Sequence, residues 1–113
     1  MANLDITVAR GADWVRVATI KDNGGTPVTV AAANFVGEIK NPNAPVDTVA
    51  ATFTFALVTD GTDGKIRITL TKEQSLLLRK DRSYAYDIFA TLLGRRYRML
   101  WGKTGLDFNI TTL

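Results

Sequence analysis

Few side chains in this sequence could do chemistry, and most of the candidates are carboxylates. Cysteine and histidine are both absent from the 113 residues. Their absence excludes disulfides, thiolate nucleophiles, imidazole bases and the common zinc ligand sets. Asp60 and Asp63 could together bind a hard cation, but they stand in a glycine-rich turn, where aspartate commonly caps backbone N–H groups. We therefore predict no catalytic, metal-binding or cofactor-binding residues.

Other nucleophiles and phosphate-binding motifs give no stronger indication of an enzyme. Ser75 and Ser83 have no identifiable general base beside them in the sequence. The Gly24-Gly25 pair has neither the following helix nor the lysine that a phosphate-binding loop requires. The chain is predicted not to be an enzyme.

Basic residues are concentrated in the second half of the chain. The net charge is +3, from 14 lysines and arginines against 11 aspartates and glutamates. The segment 94–101 mixes arginines with aromatic residues. Proteins that bind single-stranded nucleic acid use this combination to stack bases beside a positive groove. Arginine and aromatic residues are also enriched at protein–protein interfaces, which is the favoured interpretation.

Strand alternation would sort this segment into two faces. The two predicted sets are Tyr97, Met99 and Trp101 on one face, and Arg96, Arg98 and Leu100 on the other. If the aromatic face belongs to the core, the arginines lie on an outer surface. The two tryptophans are natural interface anchors, with a place in the core as the alternative for each. The residues predicted to bind a partner are Leu4, Trp14, Arg95, Arg96, Arg98 and Trp101.

The elements that must position these residues are mostly strands. Apolar and polar residues alternate with a period of two through most of the chain, which is typical of half-buried strands. A tight turn near residues 93–95 predicts a hairpin, and a break is expected at 103–105. The predicted strands are 4–9, 13–21, 27–30, 35–40, 49–57, 65–70, 84–92, 97–101 and 106–111.

One short helix is predicted between two of these strands, over residues 71–78. Thr71 is the expected N-cap, and Gln74 three residues later completes the pattern of a capping box. The leucines that follow favour a helix of two to three turns.

About eight or nine short strands at roughly ten-residue spacing predict an all-β sandwich. A small barrel is the alternative. The length of the chain fits a single domain over 1–113. The predicted core residues are Phe53, Phe55, Ile66, Ile68, Tyr86, Ile88 and Met99.

Three short motifs follow one another in the second half of the chain. They are Leu70-Thr71-Lys72-Glu73 with Leu77, then Tyr84-Ala85-Tyr86-Asp87-Ile88, then Leu100-Trp101-Gly102-Lys103. In this order the sequence resembles the small immunoglobulin-like structural modules of tailed bacteriophage virions. The resemblance is to baseplate and tail-fibre-attachment modules, including the N-terminal domains of upper baseplate proteins. It implies an immunoglobulin-like β-sandwich with one short helix, no catalytic residues and no cofactor.

The resemblance leads us to expect a non-enzymatic structural virion protein, acting as a tail, baseplate or fibre adaptor or connector. The alternatives are a capsid decoration protein, or a small basic β-barrel that binds single-stranded nucleic acid. The expected partners are other virion proteins, and this chain is expected to form a homo-oligomer within a symmetric assembly. No membrane partner is expected. The resemblance implies the virion as the location. Residues 1–5 lack the basic start of a signal peptide, which leads us to expect synthesis in the host cytoplasm.

The terminal strands are the expected sites of assembly. Residues 4–9 and 106–111 contain no lysine or proline, the residues that discourage edge pairing with another chain. We therefore expect one terminal strand, or the arm 1–4, to contact an adjacent subunit. Arg95, Arg96 and Arg98 are expected nearby as ionic anchors.

Overall fold

The computed structural model describes residues 2–41, 49–79, 83–92 and 94–107. Met1, Leu93 of the predicted turn, and residues 108–111 of the predicted last strand lie outside the described residues. The elements of the described part are β1 (Ala2–Asn3), β2 (Ile6–Ala9), β3 (Trp14–Thr19), a 3-10 helix (Ala32–Asn34), β4 (Phe35–Lys40), β5 (Val49–Thr52), β6 (Thr54–Leu57), β7 (Lys65–Leu70), α1 (Lys72–Ser75), β8 (Tyr84–Leu92) and β9 (Arg95–Asp107).

The strands form two separate sheets. The larger sheet has the order β1-β9-β8-β4-β5, with β2 also paired to β9, and the smaller sheet has the order β3-β7-β6. In the larger sheet, β9, β8, β4 and β5 correspond to strands G, F, C and C′. In the smaller sheet, β3, β7 and β6 correspond to strands B, E and D. This is the immunoglobulin arrangement. The predicted all-β, immunoglobulin-like sandwich is confirmed, with two sheets in place of a closed barrel.

The connection between β7 and β8 carries a further immunoglobulin feature. At the start of β8 the Tyr84 hydroxyl oxygen accepts a hydrogen bond from the Arg79 backbone N–H at 2.9 Å. A tyrosine that bonds back to the chain a few residues upstream of strand F is the tyrosine corner of this fold. Tyr84 is buried, so its hydroxyl fixes the corner from inside.

The core lies between the sheets and draws residues from both. Six of the seven predicted core residues are buried, and Phe55 is half-buried with its ring stacked on Phe35 at 5.5 Å. Gly37 on β4 gives these rings room, because a Cβ there would lie 3.0 Å from atoms of both Phe53 and Phe55.

The prediction of a single strand over 49–57 is wrong, because these residues form two strands in different sheets. β5 pairs with β4 in the larger sheet, whereas β6 pairs with β7 in the smaller one. Phe53 is the residue at the crossing, and its N–H donates to the Gly37 carbonyl at 3.0 Å. Its ring is buried, so the apolar alternation continues while the pairing partner changes.

Two other predictions, a strand at 27–30 and a break at 103–105, differ from the structure. Residues 27–30 form no strand, and only a bridge between Lys21 and Pro27 is present. The predicted break at 103–105 is wrong, because β9 continues to Asp107. β8 pairs with β9 as far as Thr104, and β2 pairs with it from Thr104 to Asp107, so interstrand pairing continues through the predicted break and outweighs the local sequence.

The helix begins as predicted but is shorter. The Thr71 side chain accepts a hydrogen bond from the Gln74 backbone N–H at 3.2 Å, which confirms the N-cap. The Gln74 side chain does not complete a capping box; its Oε1 accepts from the Thr52 N–H at 2.9 Å and docks α1 on β5. After one turn the chain bends so that Leu78 is fully buried, and Arg10 Nε donates to its carbonyl at 3.0 Å.

Candidate binding face

A β-bulge in β9 decides which side chains reach the surface. The pairing of β8 with β9 runs from Phe89↔Arg98 directly to Ile88↔Leu100, so Met99 is an extra residue in β9. Met99 and Leu100 are consequently both buried. Compared with an uninterrupted alternation, the residues after Met99 face the opposite side of the sheet, which places the Trp101 side chain on the solvent side.

The predicted grouping of Tyr97, Met99 and Trp101 on one face is therefore wrong. Trp101 pairs with Asp87 on the solvent side of the larger sheet, the same side as Arg98. Tyr97 pairs with the buried Ala90 and is 37% exposed at the end of the sheet. We call the solvent side of β4, β8 and β9 the outer face; its residues are Val36, Glu38, Lys40, Ala85, Asp87, Phe89, Thr91, Arg96, Arg98, Trp101 and Lys103.

Two arginines on the outer face lie against aromatic rings. The Arg96 guanidinium carbon is 4.2 Å from the centre of the Phe89 ring, and that of Arg98 is 4.6 Å from the Trp101 ring. Such cation–π contacts are favourable by about 0.5–1 kcal/mol at exposed sites. We call Phe89, Arg96, Arg98 and Trp101 the arginine–aromatic stripe.

An open groove of about 480 Å³ begins at Arg98 and Trp101 of the stripe and carries charges of both signs. Glu38 and Lys40 form an ion pair at 3.8 Å on its β4 side. The Asp5 carboxylate accepts from the Lys103 backbone N–H at 2.9 Å on its β9 side. Asp87 lies between these sides and also lines the groove. The outer face is thus basic at the stripe and mixed in the groove.

The other predicted partner-binding residues lie elsewhere. Leu4 is half-buried against the core; its N–H donates to the Trp101 carbonyl at 2.8 Å, and its carbonyl accepts from the Tyr86 hydroxyl. Trp14 is half-buried between the sheets, with its ring edge-to-face with Phe53 at 5.9 Å. Arg95 is exposed but pairs with Leu92, whose side chain points to the core side of the sheet. The structure therefore brings together only three of the six: Arg96, Arg98 and Trp101.

Phe89 and Asp87 were not predicted to belong to the site. The available signal was the position of Phe89, an aromatic residue among the solvent-facing positions of β8. A large ring at such a position marks a surface with a packing partner, which here is Arg96.

The two turn aspartates are engaged in separate local hydrogen bonds, as the turn interpretation predicts. The Thr62 side chain and backbone N–H both donate to Asp60, which lowers the pKa of that carboxyl. The Thr59 hydroxyl donates to Asp63 at 2.8 Å and lowers the pKa of this second carboxyl, with help from the Lys65 N–H. Within the described ranges no group of three potential metal-ligating side chains occurs.

Comparison with known proteins shows a likeness in structure. No protein-family model matches the chain, and no curated protein matches it. A solved extracellular fragment of novel immune-type receptor 11 from Ictalurus punctatus, including its stalk region, is similar over 98% of this chain and 88% of that one, at 7% identity and a TM-score of 0.41. The immunoglobulin-like assignment itself follows from the strand order and the tyrosine corner. No helix in the described part is long and apolar enough to span a membrane.

Proposed function

We propose that this chain is a non-enzymatic structural protein of a tailed-phage virion, an adaptor or connector that binds a neighbouring virion protein through its outer face. The observation that supports the binding face is the arginine–aromatic stripe. The virion context rests on the sequence motifs that resemble the phage modules. The two supports are independent and can be tested separately.

The stripe has the features of an interface centre. Arginine and tryptophan are over-represented among residues whose truncation weakens protein complexes most. Among the described residues, no carboxylate forms an ion pair with Arg96 or Arg98; the ion pair in that part of the chain joins Lys40 and Glu38. Val36, 52% exposed, adds an apolar surface next to Phe89. These residues offer a partner both apolar contact and unpaired positive charge.

The same residue types occur in proteins that bind single-stranded nucleic acid, but their arrangement here favours a protein partner. Base stacking requires an open aromatic face. On this face, Arg96 covers one side of the Phe89 ring and Arg98 covers one side of the Trp101 ring. A base that stacks on the covered side of either ring would have to displace a guanidinium group, whereas a carboxylate can bind to the edge of that group where it lies.

The binding test is co-expression with the proteins encoded by neighbouring genes, followed by size-exclusion chromatography with light scattering. We expect one of them to elute as a complex with this chain, and the double variant Arg96→Glu, Arg98→Glu to abolish that complex. The matched control is Lys65→Glu with Arg67→Glu. It makes the same charge change at the same spacing, at two exposed positions of the central strand of the smaller sheet. Equal binding by both double variants would place the interface elsewhere.

The virion context is tested by mass spectrometry of purified phage particles. We expect the chain to co-purify with tail or baseplate proteins. Filter binding to a single-stranded oligonucleotide across a salt series tests the nucleic-acid alternative, since retention through phosphate contacts falls steeply with salt. Tight, strongly salt-dependent retention that is lost in the Arg96→Glu, Arg98→Glu variant would favour nucleic acid over a protein partner.

A further inference from the structure

We infer that the partner presents an extended acidic segment to the outer face, with carboxylates at alternate positions that meet Arg96 and Arg98. This inference rests on the proposed binding face and specifies the chemistry of its partner.

The spacing of the two arginines supports this inference. Arg96 and Arg98 are two residues apart on β9 and point to the same side of the sheet. Alternate residues of a strand are roughly 6.5–7 Å apart. Alternate side chains of an extended partner segment have the same repeat, so two carboxylates in that pattern can meet both guanidinium groups together.

The rings prepare the arginines for this contact. Each guanidinium group lies over a ring, which restricts the rotamers of a long side chain before the partner arrives. The N–H edges of a stacked guanidinium group remain available for two parallel hydrogen bonds to one carboxylate. Less conformational entropy is lost on binding than for a free arginine.

The residues next to the two arginines predict which side chains follow the two acids in the partner segment. Beyond Arg98 the next outward residue of β9 is Trp101, and Asp87 lies beside it on β8. A third carboxylate at that place would face Asp87, whereas an apolar side chain would contact the Trp101 ring. The partner pattern is therefore two alternate acids followed, at the next alternate position, by an apolar residue.

Short peptides can test this pattern directly. The first is a Glu-Thr-Glu-Thr-Val peptide with blocked ends. The second is its isomer Glu-Glu-Thr-Thr-Val, in which an extended chain places the carboxylates on opposite faces. The third replaces both glutamates of the first with lysine. Each is titrated into the ¹⁵N-labelled full chain, and the Nε–H signals of Arg96 and Arg98 are followed by NMR.

We expect the alternating peptide to shift both arginine signals and to bind several-fold more tightly than its isomer. The lysine peptide is expected to shift neither signal. Arg96→Glu with Arg98→Glu should weaken binding of the alternating peptide roughly ten-fold or more, because two ion pairs are lost and each is replaced by a contact between like charges. Arg96→Lys with Arg98→Lys should weaken it several-fold, because lysine keeps the charge but lacks the planar fork.

The outcomes separate this inference from the proposed function. Equal binding of the alternating peptide and its isomer, or no shift with either, overturns the acidic-segment inference. In that case the proposed function stands if the co-expressed partner still binds and is still lost in the Arg96→Glu, Arg98→Glu variant. If a single-stranded oligonucleotide displaces the alternating peptide at physiological salt, and no co-expressed protein binds, both proposals fail.

Discussion

Phe53 contacts residues of both sheets. It stands where the chain leaves β5 and enters β6, and its ring makes edge-to-face contacts with Trp14 and Tyr86, each at 5.9 Å between centres. Phe53→Ala should lower the free energy of unfolding by about 3–5 kcal/mol, as large-to-small changes in a packed core do. Val15→Ala is the control, since Val15 is 53% exposed and should change stability by no more than about 0.5 kcal/mol. A denaturant titration measures both, and similar small effects would show that Phe53 does not anchor the core.

Gly102 allows the N-terminal segment to lie against β9. A Cβ at this position would be 2.3 Å from the Leu4 carbonyl oxygen, closer than atoms can approach. Gly102→Ala should therefore displace Leu4 and destabilise the protein by about 1–3 kcal/mol, the usual effect of overpacking. Gly105→Ala on the same strand is the matched control, because the nearest atom to its Cβ would be 3.7 Å away. Hydrogen exchange at the Leu4 amide reports the change; equal protection in the two variants would contradict it.

Because of Tyr86, the free energy of unfolding is expected to fall at alkaline pH. Burial raises the pKa of its phenol above the usual value near 10. The unfolded chain consequently loses this proton at a lower pH than the folded protein does. Stability is therefore lost as pH rises above about 10, because the unfolded state then binds fewer protons.

The Tyr86→Phe variant isolates this effect. It removes the titrating phenol together with the hydrogen bond to the Leu4 carbonyl. The stability advantage of the wild type over Tyr86→Phe should be constant near neutral pH and shrink above about pH 10. Tyr97→Phe, at an exposed tyrosine, is the control for loss of a phenol. An advantage that stays constant across the alkaline range would show that Tyr86 does not titrate differently in the two states.

At the scale of elements, the link between β7 and α1 depends on one hydroxyl. Thr71→Ala removes the acceptor for the Gln74 N–H and should lower the free energy of unfolding by roughly 0.5–2 kcal/mol. Thr29→Ala is the control: Thr29 is exposed, and its side chain forms no hydrogen bond among the described residues. Thermal unfolding of the two variants compares them. Equal melting temperatures would show that the cap adds nothing to a helix already docked through Gln74.

The elements that the sequence predicted well are those in which local pattern and tertiary pairing agree. The bounds of β4, β7 and β8 match the predicted strands, and the Thr71 cap is present as predicted. Each of these strands alternates cleanly between buried and solvent-facing residues. The capping motif is equally local, since it involves only neighbouring residues.

The errors arise where alternation alone does not specify the pairing. Met99 and Leu100 are both apolar, so the sequence gives no sign that one of them is an extra residue in the ladder. The binding face depended on this bulge, and the position of Trp101 could not be predicted without it. At Phe53 the apolar alternation is unbroken although the strand changes sheets, because the inner faces of both sheets line the same core.

At the scale of the whole molecule, the first and last described strands pair within the larger sheet. β1 and β2 both pair in parallel with β9, from Ala2↔Leu100 to Ala9↔Asp107. The prediction that one terminal strand, or the arm 1–4, contacts an adjacent subunit remains a prediction. Because Leu4 uses both its N–H and its carbonyl within this chain, a deletion of residues 1–4 is expected to destabilise the monomer as well as any assembly.

The two sheets should unfold as one unit. Residues from both sheets form one core; Ile39 and Ile88 come from the larger sheet, and Ile66 and Ile68 from the smaller. The two tryptophans report on different parts of it. Trp14 lies on β3 between the sheets, and Trp101 lies on the outer face of the larger sheet. Trp101→Phe leaves the first as the only fluorophore of this type, and Trp14→Phe leaves the second.

In each variant we expect the denaturant midpoint from tryptophan fluorescence to equal the midpoint from far-ultraviolet circular dichroism, the behaviour of a two-state domain. Comparing two probes within one variant cancels the stability change that the substitution itself causes. A Trp101 transition that precedes the loss of strand signal would mean that the outer face and the N-terminal strands open separately from the rest. The binding face would then belong to a locally unstable part of the larger sheet, and the peptide titrations would depend on its folding.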